Sequence, residues 1–296
     1  MSETPDAEAT ILVEDYAAFD AEYEHDQLTQ EFVNELIDKI ILFGNAFTGK
    51  PLHVYQIPFA RRIIHSVIVG DGDQITGLAA RQSGKSQIVA WVVATLMVIL
   101  PRLAKIYPDL LGKFQDGFWV GLFAPVEGQA ETLFGRTVGF LTSEHALSIL
   151  GDPEIDDITA RNPGVTKGIM LKKSRSLMLM MTANPRANIE SKTFHLVIID
   201  ECQDVVEHVI TKSISPMMAY TAGTMVLTGT PNRSKGYFYK AIQRNKRIQT
   251  SRGSKKNHFQ WDWREVAKVN KDYAKFIKKE MLRIGEDSEE FLMSYG

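Results

Sequence analysis

The spacing of apolar positions changes along the chain and marks out its elements. Between Gln27 and Phe43, the residues Phe32, Val33, Leu36, Ile37, Ile40 and Ile41 recur every three or four positions, which predicts a helix that Gly44 stops. A second amphipathic helix is expected over Gln56–Val69. After the turn Gly70-Asp71-Gly72-Asp73, a short strand is expected over Gln74–Leu78. From there the pattern alternates. A loop over Ala79–Gly84 leads into a helix from Lys85 to Leu100, which Pro101 should end. A strand over Phe118–Ala124 precedes a helix near Val126–Leu141. Gly168–Leu171 and Ser176–Thr182 read as a hairpin around Lys172–Arg175. A strand over Phe194–Ile199 ends at Asp200, a helix is expected near Val205–Tyr220, and a strand over Thr224–Leu227 ends at Thr228-Gly229-Thr230. Beyond Pro231, one strand (258–263) and helices near Lys271–Ile284 and Ser288–Ser294 are expected. Strands alternating with helices predict an α/β fold with a mostly parallel central sheet flanked by helices. In such sheets ligands bind at the carboxyl ends of strands, and three polar motifs fall at those ends.

Composition narrows the class. The 296 residues are 44% hydrophobic, enough for a sizeable core. The net charge of −2 hides an asymmetry. Residues 1–30 hold nine Asp or Glu and no Lys or Arg, so the rest carries +7 (34 basic against 27 acidic). Residues 1–26 are therefore expected to be an acidic, disordered leader. Residues 233–256 hold nine Lys or Arg and no acidic residue, and read either as a solvated basic face or as a surface for phosphates. The single cysteine, Cys202, excludes an internal disulfide. The longest apolar run, Ile88–Leu100, is short of the roughly 20 residues of a membrane span, and no secretory signal is visible. A soluble, intracellular protein is expected.

The first strand-end motif is Ala79-Ala80-Arg81-Gln82-Ser83-Gly84-Lys85-Ser86, a phosphate-binding loop (Walker A) with Ala in place of the first Gly. Backbone N–H groups of such a loop wrap phosphates, and the following helix adds its N-terminal dipole. Gly84 permits close approach, Lys85 reaches the β- and γ-phosphates, and Ser86 ligates Mg²⁺. Arg81 has two readings: stabilising charge on the transferring phosphoryl group, or a salt bridge that shapes the loop.

The second motif is Leu196-Val197-Ile198-Ile199-Asp200-Glu201, a run buried on both faces that ends in two carboxylates (Walker B). Asp200 is placed to hold Mg²⁺ and Glu201 to deprotonate the attacking water, which points to hydrolysis as well as binding. The third is Thr228-Gly229-Thr230-Pro231-Asn232, where small hydroxyl residues could sense loss of the γ-phosphate; taken alone it is also an ordinary Gly-Pro turn. Tyr55-Gln56 lies upstream, and a Gln amide can pair with both donor and acceptor of an adenine edge.

Taken in order, Tyr55-Gln56, Arg81-Gln82-Ser83-Gly84-Lys85-Ser86, Asp200-Glu201-Cys202 and Thr228-Gly229-Thr230-Pro231-Asn232 resemble the N-terminal ATPase domain of the large terminase subunit of tailed bacteriophages, over roughly residues 50–245. The resemblance implies a RecA-like P-loop ATPase using ATP and Mg²⁺ to move double-stranded DNA into a procapsid. It implies that Gln56 binds adenine, that Arg81 contacts phosphates, and that Thr228, Gly229 and Thr230 couple hydrolysis to movement. It also implies a homo-oligomeric ring on the portal protein, served by a small terminase subunit, in the cytoplasm of an infected bacterium. An isolated domain would be monomeric and slow. A neighbouring arginine would complete each site, with Arg186 and Arg136 as candidates; Glu190-Ser191 stands where many relatives carry an Arg-Gly pair.

On this reading the ATPase domain spans 27–245, and 246–296 is a helical linker leading toward a nuclease domain. The 65 residues after Pro231 are too few for that nuclease, so no nuclease activity is expected. Two other readings stand beside the motor: a single-domain piece of a superfamily 2 helicase-like translocase, and a nucleotide-gated assembly module. The second has no use for a carboxylate at Glu201.

Overall fold

The computed structural model describes residues 29–162, 164–184, 192–232, 235–252 and 255–296. The first helix, α1 (29–48), buries Val33, Leu36, Ile37, Ile40 and Ile41, as its periodicity predicts. It does not stop at Gly44. A Cβ at that position would clash with the Trp91 ring, so the glycine serves close helix–helix packing and the helix runs on through it. Helix α2 (Ile57–Val69) follows and ends at Gly70 in the left-handed conformation.

Strand β1 (Gln74–Ala79) leads through the loop into α3 (Lys85–Ile106). Pro101 was expected to end α3, yet the helix continues past it. Proline cannot donate to the carbonyl four residues back, which is that of Met97. The buried Ser176 hydroxyl donates to that carbonyl instead, at 2.6 Å, and so stands in for the missing helical bond. By length and composition α3 could cross a bilayer, but most of it is buried in this fold; it is the central core helix.

The chain continues through α4 (Pro108–Leu111), β2 (Trp119–Ala124), α5 (Glu127–Leu141) and α6 (Glu144–Leu150). Strands β3 (Ile155–Asp157), β4 (Lys167–Leu171), β5 (Ser176–Thr182), β6 (Leu196–Ile199) and β7 (Thr224–Gly229) come next. Between β6 and β7 an α-helix was expected. The chain forms a π-helical turn (Val209–Ile214) and a 3₁₀ turn (Ser215–Met218) instead. Pro216 explains the break, because it has no N–H for the carbonyl of Lys212.

After β7 come α7 (Tyr237–Arg252), β8 (His258–Trp261), α8 (Trp263–Val269), α9 (Lys271–Ile284) and α10 (Glu289–Tyr295). The expected strand over 258–263 is shorter than its apolar pattern, because Asp262 caps α8.

All eight strands join one sheet in the order β3-β4-β5-β2-β6-β7-β1-β8. Strands β5, β2, β6, β7, β1 and β8 run parallel, and at one edge β4 runs antiparallel to both β5 and β3. Alternate residues of the central strands face opposite layers. Leu196, Ile198 and Val226 pack toward α1, α2, α3 and α5. Val197, Ile199, Met225 and Leu227 pack toward the 205–218 segment and α7. This two-sided burial explains the continuous apolar run before Asp200.

The expected domain boundary at 245/246 falls inside α7, and β8 beyond it pairs with β1 from Thr76↔His258 to Ala79↔Trp261. Among the described residues, 255–296 are thus built into the same sheet and core, with Ile277 and Phe291 fully buried.

Candidate nucleotide site

Because β1, β6 and β7 are parallel neighbours, their carboxyl ends bring the three sequence motifs to one place. The loop after β1 turns through Gln82 (φ +57°) and Gly84 (φ +82°) before α3 starts at Lys85. At Gly84 a Cβ would meet the Gln56 amide at 2.7 Å in addition to suffering a left-handed backbone, so only glycine fits. The first turn of α3, whose N–H groups have no partner within the helix, borders a cavity of about 580 Å³. Residues 80–86 line it, with Gln129 and Arg136 of α5, Glu201, Gln203, Asp204, Thr230 and Tyr295.

At the centre lies a cation between two acids. The Lys85 ammonium is 3.0 Å from Asp200 Oδ1 and 2.6 Å from Glu201 Oε1. Ser86 Oγ donates to Asp200 Oδ2 at 3.0 Å, and Thr228 Oγ1 donates to Asp200 Oδ1 at 2.7 Å. Asp200 is only 4% exposed. Burial alone would raise its pKa; the Lys85 charge and the hydrogen bonds from Thr228, Lys85 and Ser86 outweigh burial and hold it below the ordinary carboxylate value. A buried ion pair of this kind is stable only because each oxygen is also hydrogen-bonded. Glu201 sits in the left-handed region (φ +50°), an uncommon state for a residue with a side chain, and strain of that sort concentrates at functional sites. Ser86 and Asp200 together offer a hydroxyl and a hard carboxylate oxygen beside the cavity, donors suited to a magnesium ion that keeps several waters and takes phosphate oxygens.

The other residues expected in the site are not equally placed. Ala79 and Ala80 are buried at the strand end, and Ala80, Arg81, Gln82 and Ser83 line the cavity. Gln56 lies behind the loop and does not line the cavity. Its side-chain carbonyl accepts from the His53 N–H at 2.9 Å, and its amide backs Gly84. The neighbouring Tyr55 hydroxyl donates to the Ser83 carbonyl at 2.9 Å. Thr228 is buried on Asp200, Gly229 ends β7, and Thr230 lines the cavity. Arg136 is exposed on α5 at the cavity of its own chain. Arg186 and Glu190-Ser191 lie outside the described residues.

Several residues of the site carry no sequence motif. Gln203 bridges Glu201 and Thr230. From the opposite side, Trp261 Nε1 donates to Ser83 Oγ at 3.0 Å, Tyr273 Oη donates to the Arg81 carbonyl at 3.1 Å, and the Arg81 N–H donates to the Ser294 carbonyl at 2.8 Å. The only signal for these was the apolar strand pattern around Trp261, which says nothing of its neighbour in the sheet.

A parallel sheet with a glycine-containing loop between β1 and α3, and an acidic strand end two places away, defines the RecA-like P-loop NTPase fold. More narrowly, the fold is the one seen in phage large-terminase ATPase domains. The Thermus phage P74-26 large terminase ATPase domain matches with a TM-score of 0.60 at 18% identity, covering 85% of this chain and 95% of that one. The HK97 bacteriophage large terminase matches with a TM-score of 0.58 at 13% identity, covering 88% of this chain and 54% of that one. The large terminase of thermophilic bacteriophage D6E, in complex with ADP, matches with a TM-score of 0.51 at 12% identity over 78% of this chain and 50% of that one. No protein-family model matches the sequence, and no curated protein matches it by sequence.

Proposed function

We propose that this chain hydrolyses ATP as the motor domain of a DNA-packaging terminase large subunit. The observation that carries the proposal is one bonded cluster on a terminase-type fold: Lys85, Ser86 and Glu201 line the cavity, and the buried Asp200 and Thr228 hold them from behind. The D6E neighbour is a large terminase in complex with ADP, which supports nucleotide binding by this chain.

The triphosphate seats on the loop amides of residues 80–86, with Lys85 swinging from its carboxylates to the β- and γ-phosphates. Ser86 and Asp200 would hold Mg²⁺, which when bound would neutralise charge on the phosphate oxygens. Glu201 accepts a proton from the attacking water as its oxygen bonds to the γ-phosphorus and the bond to the β-phosphate oxygen breaks. Arg81, exposed at the cavity rim, supplies positive charge to the transferring group. Thr228, Gly229 and Thr230 pass the loss of γ-phosphate toward α7, whose exposed Lys246 and Arg247 offer sequence-independent phosphate contacts to double-stranded DNA. In the assembled state the chain forms a ring on a portal with a small terminase subunit, inside the infected bacterium. An arginine of a neighbour then completes each site; Arg186 is the stronger candidate, because Arg136 already lines the cavity of its own chain.

Turnover against protein concentration, with and without double-stranded DNA, tests this reading. Turnover per chain that rises with concentration and with DNA is expected; turnover per chain indifferent to both would contradict the motor reading.

A further inference from the structure

Gln203 occupies a position that neither the motifs nor the hydrolysis scheme assigns. It follows the left-handed Glu201 by two residues, in the short 3₁₀ turn Cys202–Asp204. That turn folds the side chain back onto the carboxylate before it. Gln203 Nε2 donates to Glu201 Oε2 at 2.7 Å, and to Asp204 Oδ2 at 3.2 Å. Its other end, Oε1, accepts the N–H of Thr230 at 3.3 Å. The space for that carbonyl exists because residue 229 is glycine, where a Cβ would clash with Gln203 Oε1. Gln203 therefore ties the candidate base to the backbone at the end of β7.

The two oxygens of Glu201 have different partners. Oε1 is held by Lys85 and Oε2 by Gln203. A γ-phosphate in the cavity competes for Lys85, because an ammonium shared between two carboxylates is drawn to a polyanion. Once Lys85 turns to phosphate, Gln203 is the side chain that keeps Glu201 aimed at the cavity. We infer that Gln203 is a positioning residue: it holds Glu201 in place for water attack and links that carboxylate to Thr230. The inference rests on the hydrolytic reading of Glu201 given above. An amide suits the task because it offers a donor to one partner and an acceptor to the other, where a carboxylate or an amine offers only one of these.

Steady-state ATP turnover of the 296-residue chain, with Mg²⁺ and double-stranded DNA, tests it in four variants: Gln203→Ala, Gln203→Glu, Glu201→Gln, and Glu201→Gln combined with Gln203→Ala. Loss of a positioning contact should lower kcat about 10- to 100-fold for Gln203→Ala, with KM for ATP within about threefold of wild type. Gln203→Glu keeps the size and the acceptor for Thr230 but loses the donor, so it should lower kcat at least as far, and it covers the case in which the alanine variant folds poorly. The double variant should be no slower than Glu201→Gln alone, because Gln203 acts through Glu201. Gln203→Ala or Gln203→Glu within twofold of wild type in kcat would overturn the inference, as would a double variant slower by the product of the two single losses. Wild-type turnover in Glu201→Gln would instead remove the hydrolytic reading, and the role of Gln203 with it.

Discussion

The phosphate loop is held from two sides in two different ways. On the β6–β7 side, side chains of Asp200 and Glu201 meet those of Lys85 and Ser86, and Thr228 holds Asp200. On the β8–α10 side, Tyr273 and Ser294 meet the Arg81 backbone, and Trp261 anchors Ser83. The first flank sets charge, the second sets shape. Chemistry that must distinguish ATP from ADP has to touch functional groups, whereas a loop that offers its N–H groups to phosphate only has to be kept in one conformation.

That difference can be broken experimentally. Lys85→Ala removes the shared cation of the first flank. It should lower turnover by about 10²-fold or more and lower the melting temperature too, because the buried Asp200 keeps the Ser86 and Thr228 hydroxyls and the Glu201 N–H but loses its cation. Thr228→Val deletes one hydrogen bond to that same charge. A charge-assisted bond contributes about 1.5–3 kcal/mol, so a fall in melting temperature and a loss of turnover near tenfold are expected. Trp261→Phe on the second flank keeps the ring and loses the donor to Ser83. It should weaken ATP binding by about fivefold, the equivalent of about 1 kcal/mol, and leave kcat nearly unchanged; a kcat loss as large as that of Thr228→Val would erase the distinction between the flanks.

The smallest effect at neutral pH, and a separable one, is in acid. On β8, burial pushes the His258 imidazole down to about 4, with Nδ1 on the Thr76 hydroxyl at 3.0 Å. Since the unfolded chain binds that proton near pH 6.5, its contribution is complete above that pH and is lost as pH falls toward 4. His195, also pushed down to about 4 by burial first and by Lys113 second, acts in the same window. Asp200 has a lowered carboxylate pKa, so its contribution persists until pH falls below the ordinary carboxylate range. Melting curves between pH 7 and pH 4 should therefore fall for wild type and fall less for His258→Asn, while Thr228→Val keeps the wild-type slope.

What was legible in the sequence follows the same division. The loop at 79–86 and the acids at 200–201 could be read because phosphate chemistry demands fixed residue types at fixed spacing, and the alternation of strands and helices carried the parallel sheet. Gly44 and Pro101 misled, since each is a local helix breaker answered by a distant partner: Trp91 fills the space beside the glycine, and Ser176 takes the carbonyl that the proline leaves free. The place of β8 beside β1 was not legible, because strand pairing across 180 residues leaves no local pattern; the segment read as a linker for that reason. Gln203 had no motif because its position depends on the left-handed turn at Glu201, a state that its residue type does not announce. Gln56 carried an adenine signal, and the structure adds a packing contact that the signal did not announce, its amide against Gly84.

On the proposed function, Glu201 makes this site a hydrolase and not only a nucleotide holder. The direct measurement is ATP binding and phosphate release, side by side, for wild type and Glu201→Gln at saturating ATP with Mg²⁺ and double-stranded DNA. Binding within about threefold of wild type is expected, with phosphate release lowered about 10²-fold or more. Phosphate release at the wild-type rate in Glu201→Gln would contradict that function.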